Sequence, residues 1–180
     1  ADPGRGLPGR FALYAGRLSE EKGVRLLPAV ARAIAPVPLL VAGGGPLEPW
    51  LRAQAGGNLE LLGHLTDTAL AAVRERASVV LVPSLFPETF GYAVAEAQLD
   101  ARAVVASRVG ALTELIEHEV SGLLVPPGDA AAWVAATQRA LADPAAVRWG
   151  EAARERARVA FAPVAHVQGL VRIYEEAVRT

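Results

Sequence analysis

Glu88 and Glu96 are the first residues able to do chemistry. Seven residues separate them in the run Pro87-Glu88-Thr89-Phe90-Gly91-Tyr92-Ala93-Val94-Ala95-Glu96-Ala97. Glu96 is the only charge between Gly91 and Leu99. A lone carboxylate among apolar neighbours needs solvent or hydrogen-bond donors. Arg17 and Lys22 lie five positions apart, after an earlier apolar run. A fork-shaped guanidinium and a flexible ammonium can close on one diphosphate from two sides. Taken singly, each of these charges also fits an ordinary solvated surface position.

The elements around these residues suggest where they sit. Val79-Val80-Leu81-Val82 reads as a buried strand, and Pro83 and Pro87 force a loop after it. Gly91 then opens an Ala-rich segment that should be helical. The first N–H groups of a helix are unpaired and its dipole favours negative charge, so strand, loop and helix together make an anion site.

Further strands are expected at 11–15, 39–42, 59–62, 103–106 and 123–125, each a short apolar run. Helices are expected over 24–34, 47–55, 67–77 and 111–118, with Thr66 as an N-cap. The tail should be helical. Asp129 caps a segment running to Leu141, Asp143-Pro144 is a cap followed by proline at the first helical position, and Pro163 starts a last helix. That last helix carries Val164, Val167, Leu170, Val171, Tyr174 and Val178 on one stripe.

Strands alternating with helices, with continuous apolarity in the strands, predict an α/β fold. It is a doubly wound, Rossmann-like parallel sheet covered by helices on both faces. Ligands bind at the carboxyl ends of the strands in such sheets. The loops holding Arg17, Gly43 to Gly45, Gly63, Glu88 and Ser107 to Gly110 all follow predicted strands and so share one edge.

Composition narrows the function. The chain has 180 residues, is 52% hydrophobic and 21% charged, and carries a formal net charge of −1. It is therefore globular, with no overall basic field for nucleic acid or membrane. No cysteine is present, which removes disulfide and thiolate chemistry. No apolar run reaches membrane length, no signal peptide is recognisable, and the expected location is cytoplasmic with no membrane contact. Residues 1–10 read as a linker or cloning remnant, and 11–180 as one domain that includes the last helix at about 163–179.

Several site types are excluded. Gly43-Gly44-Gly45 can let a flat ring or a phosphate approach the backbone. It follows the second strand and runs into Pro46, which is not a dinucleotide fingerprint, and no P-loop is present. His64, His118 and His166 share no ligand spacing, and there is no Asp-x-Asp pair, so no metal is expected. His118 reads as a surface residue. No Ser/His/Asp triad is apparent, and Ser84 and Ser107 read as ordinary loop residues.

The motifs in order resemble the C-terminal half of a group 1 retaining glycosyltransferase with the GT-B fold. They are Gly16-Arg17-Leu18 with Lys22-Gly23, Gly43-x-Gly45-Pro46-Leu47, Pro83-Ser84, Pro87-Glu88-x-Phe90-Gly91 with Glu96-Ala97, and Gly122 to Asp129. The resemblance implies roles by position. Arg17 and Lys22, beside Gly16, would hold the donor diphosphate. Glu96 would accept the ribose hydroxyls, and Glu88, with Phe90 nearby, would face the donor sugar. The amides of Gly91, Tyr92, Ala93 and Val94 would meet sugar hydroxyls and phosphate. The turn at Gly63-His64-Leu65, with Gly43 and Gly45, would border the base. Glu88, Arg17 and Lys22 would carry the chemistry.

The substrate so implied is a UDP-, GDP- or ADP-sugar whose hexose is transferred with retention, with no cofactor and no metal. Acceptor binding would belong to an N-terminal half not present here. The last helix would cross back toward that half, leaving its stripe exposed, packed on this domain or packed on a second copy. The isolated chain is expected to fold without turning over. Two departures stand out. The family usually has Gly and Pro where this chain has Ala101 and Ala103, and a Gly-Gly pair where it has Gly110-Ala111. The added methyl groups either narrow an approach to the donor or are tolerated. The competing readings are a non-catalytic nucleotide-binding or interaction module, or a related GT-B epimerase or phosphorylase. No lysine marks a pyridoxal-phosphate site. Retention of Arg17, Lys22, Glu88 and Glu96 together favours the transferase.

Overall fold

The computed structural model describes residues 6–179, apart from the side chains of Ala165 and His166. The first five residues of the expected linker lie outside it. Leu7 already packs against the core.

Six short apolar runs form one parallel sheet. They are β1 (Ala12–Ala15), β2 (Leu39–Ala42), β3 (Leu59–Gly63), β4 (Val79–Val82), β5 (Ala103–Ser107) and β6 (Leu123–Val125). The spatial order is β3-β2-β1-β4-β5-β6. The order reverses between β1 and β4, where the crossovers wind off in opposite directions. This is the doubly wound arrangement predicted from the alternation of elements.

Side chains alternate across each strand, and both faces are covered. Ala12, Tyr14, Leu39, Val41, Val79, Leu81, Val105 and Val125 face one core with α1 (Leu27–Ala33), α2 (Glu48–Gln54) and α6 (Ala130–Ala142). Leu13, Leu40, Val80, Val82, Val104 and Ala106 face the other, with α3 (Asp67–Arg74), α4 (Tyr92–Leu99) and α5 (Leu112–Leu115). Burial on both faces explains why the strands read as continuous apolar runs. The long α7 (Ala145–Ala160) lies against α4, and its Trp149 enters the first core.

Element boundaries depart from expectation for local reasons. The helix expected from Val24 begins as a 3-10 turn, Val24–Leu26, before α1, and a further 3-10 turn, Glu20–Lys22, precedes it. Gly23, at φ 69°, stands between the two turns. The helix capped by Thr66 ends at Arg74, because the N–H groups of Arg76 and Ala77 turn to the nearer carbonyls of Val73 and Arg74. The expected 111–118 helix shrinks to α5, since the chain is extended at Ile116. Pro144 precedes α7 instead of opening it, while Asp143 Oδ1 still accepts the Ala145 N–H at 2.7 Å. Asp129 caps α6 through the Ala132 N–H at 3.0 Å.

The last helix, α8 (Pro163–Val178), starts at Pro163 as expected. Its stripe is exposed: Val164, Val167, Leu170, Val171, Tyr174 and Val178 all face solvent. Among the three outcomes posed by the sequence, packing on its own domain is therefore ruled out for these residues.

Ala101 shows what the added methyl does. It follows the end of α4 with φ 56°, the left-handed conformation that glycine favours after a helix. Neither Ala101 nor Ala103 lines the cleft described below. Ala103 is buried in β5. The methyl of Ala101 therefore costs backbone strain and does not narrow a ligand approach. Left-handed strain is worth about 1–3 kcal/mol, offset by about 0.4–1 kcal/mol of extra unfolded-state freedom in glycine. Ala101→Gly should raise stability by about 1 kcal/mol and the melting temperature by about 2–4 °C. A thermal melt lower than that of the parent chain would contradict this.

Candidate functional site

A cleft of about 250 Å³ opens at the carboxyl ends of β1 and β4, at the point where the strand order reverses. Gly16, Arg17, Lys22, Glu88, Phe90, Gly91, Tyr92 and Ala93 line it, as does Ser84. Eight of the residues singled out by sequence are thus brought together.

The loop after β1 is held from below. The Tyr14 hydroxyl donates to the Arg17 carbonyl at 2.7 Å. Burial, helped by the charges of Glu21 and Glu88, raises the phenol above its usual pKa, so it stays a donor. Leu18 is fully buried and anchors the loop. The Arg17 side chain, in contrast, is exposed and has no hydrogen bond or ion pair among the described residues.

The loops after β1 and β4 are stitched to each other. The Leu85 N–H donates to the Glu21 carbonyl at 2.8 Å. A Cβ on Gly23 would lie 1.9 Å from the Pro83 oxygen, so only glycine allows this approach. Lys22 Nζ then reaches Glu88 Oε1 at 2.6 Å, and the Ser84 hydroxyl donates to the same oxygen at 2.5 Å. Ser84 lies in the loop after β4, but it is buried and holds the carboxylate, so it is no ordinary loop residue. Ser107 is not a loop residue: it is the last residue of β5 and fully buried. Behind Glu88 the chain passes close to Gly110, where a Cβ would lie 2.8 Å from the Glu88 backbone. The Ala111 N–H donates to the Glu88 carbonyl at 3.0 Å. Of Gly110-Ala111, the first must be glycine because of this close approach, and the second serves through its backbone.

Burial pushes the Glu88 pKa up. Hydrogen bonds from Lys22 and Ser84, with the lysine charge, outweigh that and hold it below the ordinary 4.5. A carboxyl whose pKa is lowered by folding contributes stability above its unfolded value and loses it as pH falls through the folded one. Denaturation between about pH 5 and 3 should therefore show a shallower acid loss in Glu88→Gln than in the parent chain. Equal acid slopes would contradict the assignment.

The N-terminus of α4 faces the cleft. Gly91 caps it at φ 85° with no side-chain cap. The N–H groups of Gly91, Tyr92 and Ala93 find no acceptor among the described residues. The Val94 N–H is different: it donates to the Gly91 carbonyl at 2.9 Å, so this amide is already used and the Val94 side chain is fully buried. Phe90 and Tyr92 contact each other with ring centroids 4.6 Å apart, and Phe161, before α8, joins Phe90 at 5.5 Å. Phe161 carried no signal in the sequence.

Other expected residues lie outside the cleft lining. Gly43, Gly45, His64 and Leu65 follow β2 and β3 on the same sheet edge. A Cβ on Gly43 would lie 2.0 Å from the Gly16 oxygen, and one on Gly45 2.6 Å from the Leu18 oxygen. The backbone these glycines admit is the chain's own β1 loop, in place of an expected ring or phosphate. His118 is exposed as expected, but its Nδ1 accepts the Leu124 N–H at 3.0 Å. Glu96 lies one turn beyond Tyr92 on α4, where Arg74 holds it. Among the described residues, no three His, Cys, Asp or Glu lie together as metal ligands, and no helix is long and apolar enough to cross a membrane.

Comparison with known proteins agrees with this fold. Residues 9–143 match the family model described as glycosyl transferases group 1. Glycogen synthase from Mycobacterium tuberculosis is 37% identical over 154 residues, 80% of this chain and 37% of that protein. Sucrose-phosphate synthase from Thermosynechococcus elongatus superposes with a TM-score of 0.83 at 33% identity, over 96% of this chain and 47% of that one. The Anabaena protein HepE, solved in complex with UDP-glucose, shares the fold with a TM-score of 0.81 at 24% identity. That match covers 93% of this chain and 49% of the other. The chain thus spans less than half the length of each.

Proposed function

This chain belongs to the group 1 glycosyl transferases, and we propose that it is the donor-binding half of a retaining GT-B enzyme. The full-length protein transfers a hexose from a UDP-, GDP- or ADP-sugar, and an N-terminal half binds the acceptor. The observation that carries this reading is the cleft itself. Arg17 and three amides at the N-terminus of α4, all without partners among the described residues, converge with a Lys22–Glu88 pair where the strand order reverses. HepE, which shares this fold and was solved in complex with UDP-glucose, supports a nucleotide-sugar donor.

Each residue then has a task. Arg17 grips the diphosphate, with the α4 N-terminus beside it. Lys22 can hold Glu88 and a phosphate oxygen together, since an ammonium has three donors. When the sugar C1–O bond breaks, negative charge grows on the leaving phosphate, and these groups meet it without a metal. The acceptor hydroxyl bonds to C1 on the face the leaving group vacates, and its proton passes to the departing diphosphate. Glu88 spends Oε1 on Lys22 and Ser84, leaving Oε2 for a sugar hydroxyl. Glu96 accepts the ribose hydroxyls. Transfer needs an oriented acceptor and a cleft closed to water, so this chain alone binds donor without turning over.

The division of labour is testable by calorimetry on the 180-residue chain. Glu96→Gln should weaken binding of the bare nucleoside diphosphate about tenfold or more, the value of a hydrogen bond to a charged group. Glu88→Gln should leave the diphosphate within about threefold and weaken only the intact nucleotide sugar. Equal losses of the bare diphosphate in both variants would sink the assignment.

A further inference from the structure

Arg74 ends α3 and has no place in the roles above. Its side chain is only 12% exposed, although it is charged. Nη1 lies 2.8 Å from Glu96 Oε2, and Nε lies 2.5 Å from Asp100 Oδ2. Glu96 and Asp100 stand four residues apart, one turn along the same face of α4 and its C-terminal end. Two carboxylates so placed repel each other unless a cation bridges them. The planar guanidinium does so with two N–H groups in fixed relation, which an ammonium cannot copy.

The exposures show which group is anchored and which is presented. Arg74 and Asp100 are 12% and 17% exposed, whereas Glu96 is 49% exposed. The part-buried pair forms a base, and the more exposed carboxylate of Glu96 projects from it. Only Oε2 is taken by Arg74; Oε1 has no partner among the described residues. The free oxygen is therefore held in one place and open to a hydroxyl donor.

We propose that Arg74 is a positioning residue that fixes Glu96 for the ribose hydroxyls of the donor, with Asp100 fixing Arg74 in turn. This rests on the reading of Glu96 as the ribose acceptor. Without Arg74, the carboxylate turns away from Asp100 into solvent, and ribose binding carries the cost of ordering it. Removing the guanidinium also makes the net charge of the chain more negative, which weakens binding of any anion. The ribose effect must therefore be read as a ratio in which the phosphate contribution cancels.

The experiment titrates the 180-residue chain with UDP, GDP and ADP, each beside its 2′,3′-dideoxy form. The parent chain should prefer the hydroxylated form of the base it binds by about tenfold or more. In Arg74→Leu that preference should fall to within about threefold of unity. In Arg74→Lys it should fall by less, because one carboxylate regains a partner. Should the leucine variant fail to fold, the lysine variant alone decides. An unchanged preference in a folded variant overturns the positioning role while leaving Glu96 its task. A parent chain with no preference between the two forms overturns the Glu96 reading, and the role of Arg74 with it.

Discussion

Gly23→Ala should lower the melting temperature of this chain by about 6–12 °C, corresponding to about 3 kcal/mol. Two costs combine. At φ 69° any residue but glycine strains its backbone by about 1–3 kcal/mol. The new Cβ would also lie 1.9 Å from the Pro83 carbonyl oxygen and 2.8 Å from its carbon. Both neighbours are backbone, so the loops after β1 and β4 must separate, at about 1–3 kcal/mol more. Gly57→Ala is the control, because φ is 60° there and nothing lies within 4 Å. It should show the backbone cost alone. The separation also breaks the geometry joining Lys22 to Glu88, so nucleoside diphosphate binding should weaken in the folded fraction. Matching melts for the two alanine variants would contradict the stitched-loop account.

Arg17→Ala should have the opposite profile: no change in stability and a large loss of binding. The guanidinium is exposed and has no partner among the described residues, so its removal leaves no buried group unsatisfied. Its loop stays in place because Tyr14 grips the Arg17 carbonyl and Leu18 is buried. A hydrogen bond to a charged group is worth about 1.5–3 kcal/mol, or roughly 10- to 150-fold in affinity. Calorimetry with the bare nucleoside diphosphate checks this. Unchanged affinity would remove Arg17 from the phosphate site. Lys22→Ala is a less clean probe, because it also strips Glu88 of its cation.

The strands were readable because a sheet buried on both faces writes continuous apolar runs, as at Val79 to Val82 and Leu39 to Ala42. The location of the cleft followed from a rule about strand ends, with no knowledge of side chains. What escaped reading was pairing at a distance. Arg74 and Glu96 are twenty-two positions apart, Lys22 and Glu88 sixty-six, and no local pattern marks such partners. Ser84 looked ordinary because a serine after a strand is common; its bond to Glu88 depends on the turn between them. The glycines at Gly43 and Gly45 were visible, but whether they admit a ligand or the chain itself is a tertiary fact. Gly110 and Ala101 differ for the same reason. One adjoins the Glu88 backbone and the other ends a helix outside the cleft.

The central claim is that the cleft between the β1 and β4 loops holds a nucleoside diphosphate. Amide chemical-shift mapping of the 180-residue chain, titrated with UDP, GDP and ADP, tests it most directly and tolerates weak binding. The account predicts saturable shifts for at least one of the three, largest at Gly16 to Lys22 and at Gly91 to Glu96, with little change at the amino ends of the strands. Shifts clustered at another surface, or none with any of the three nucleotides at millimolar concentration, would contradict it.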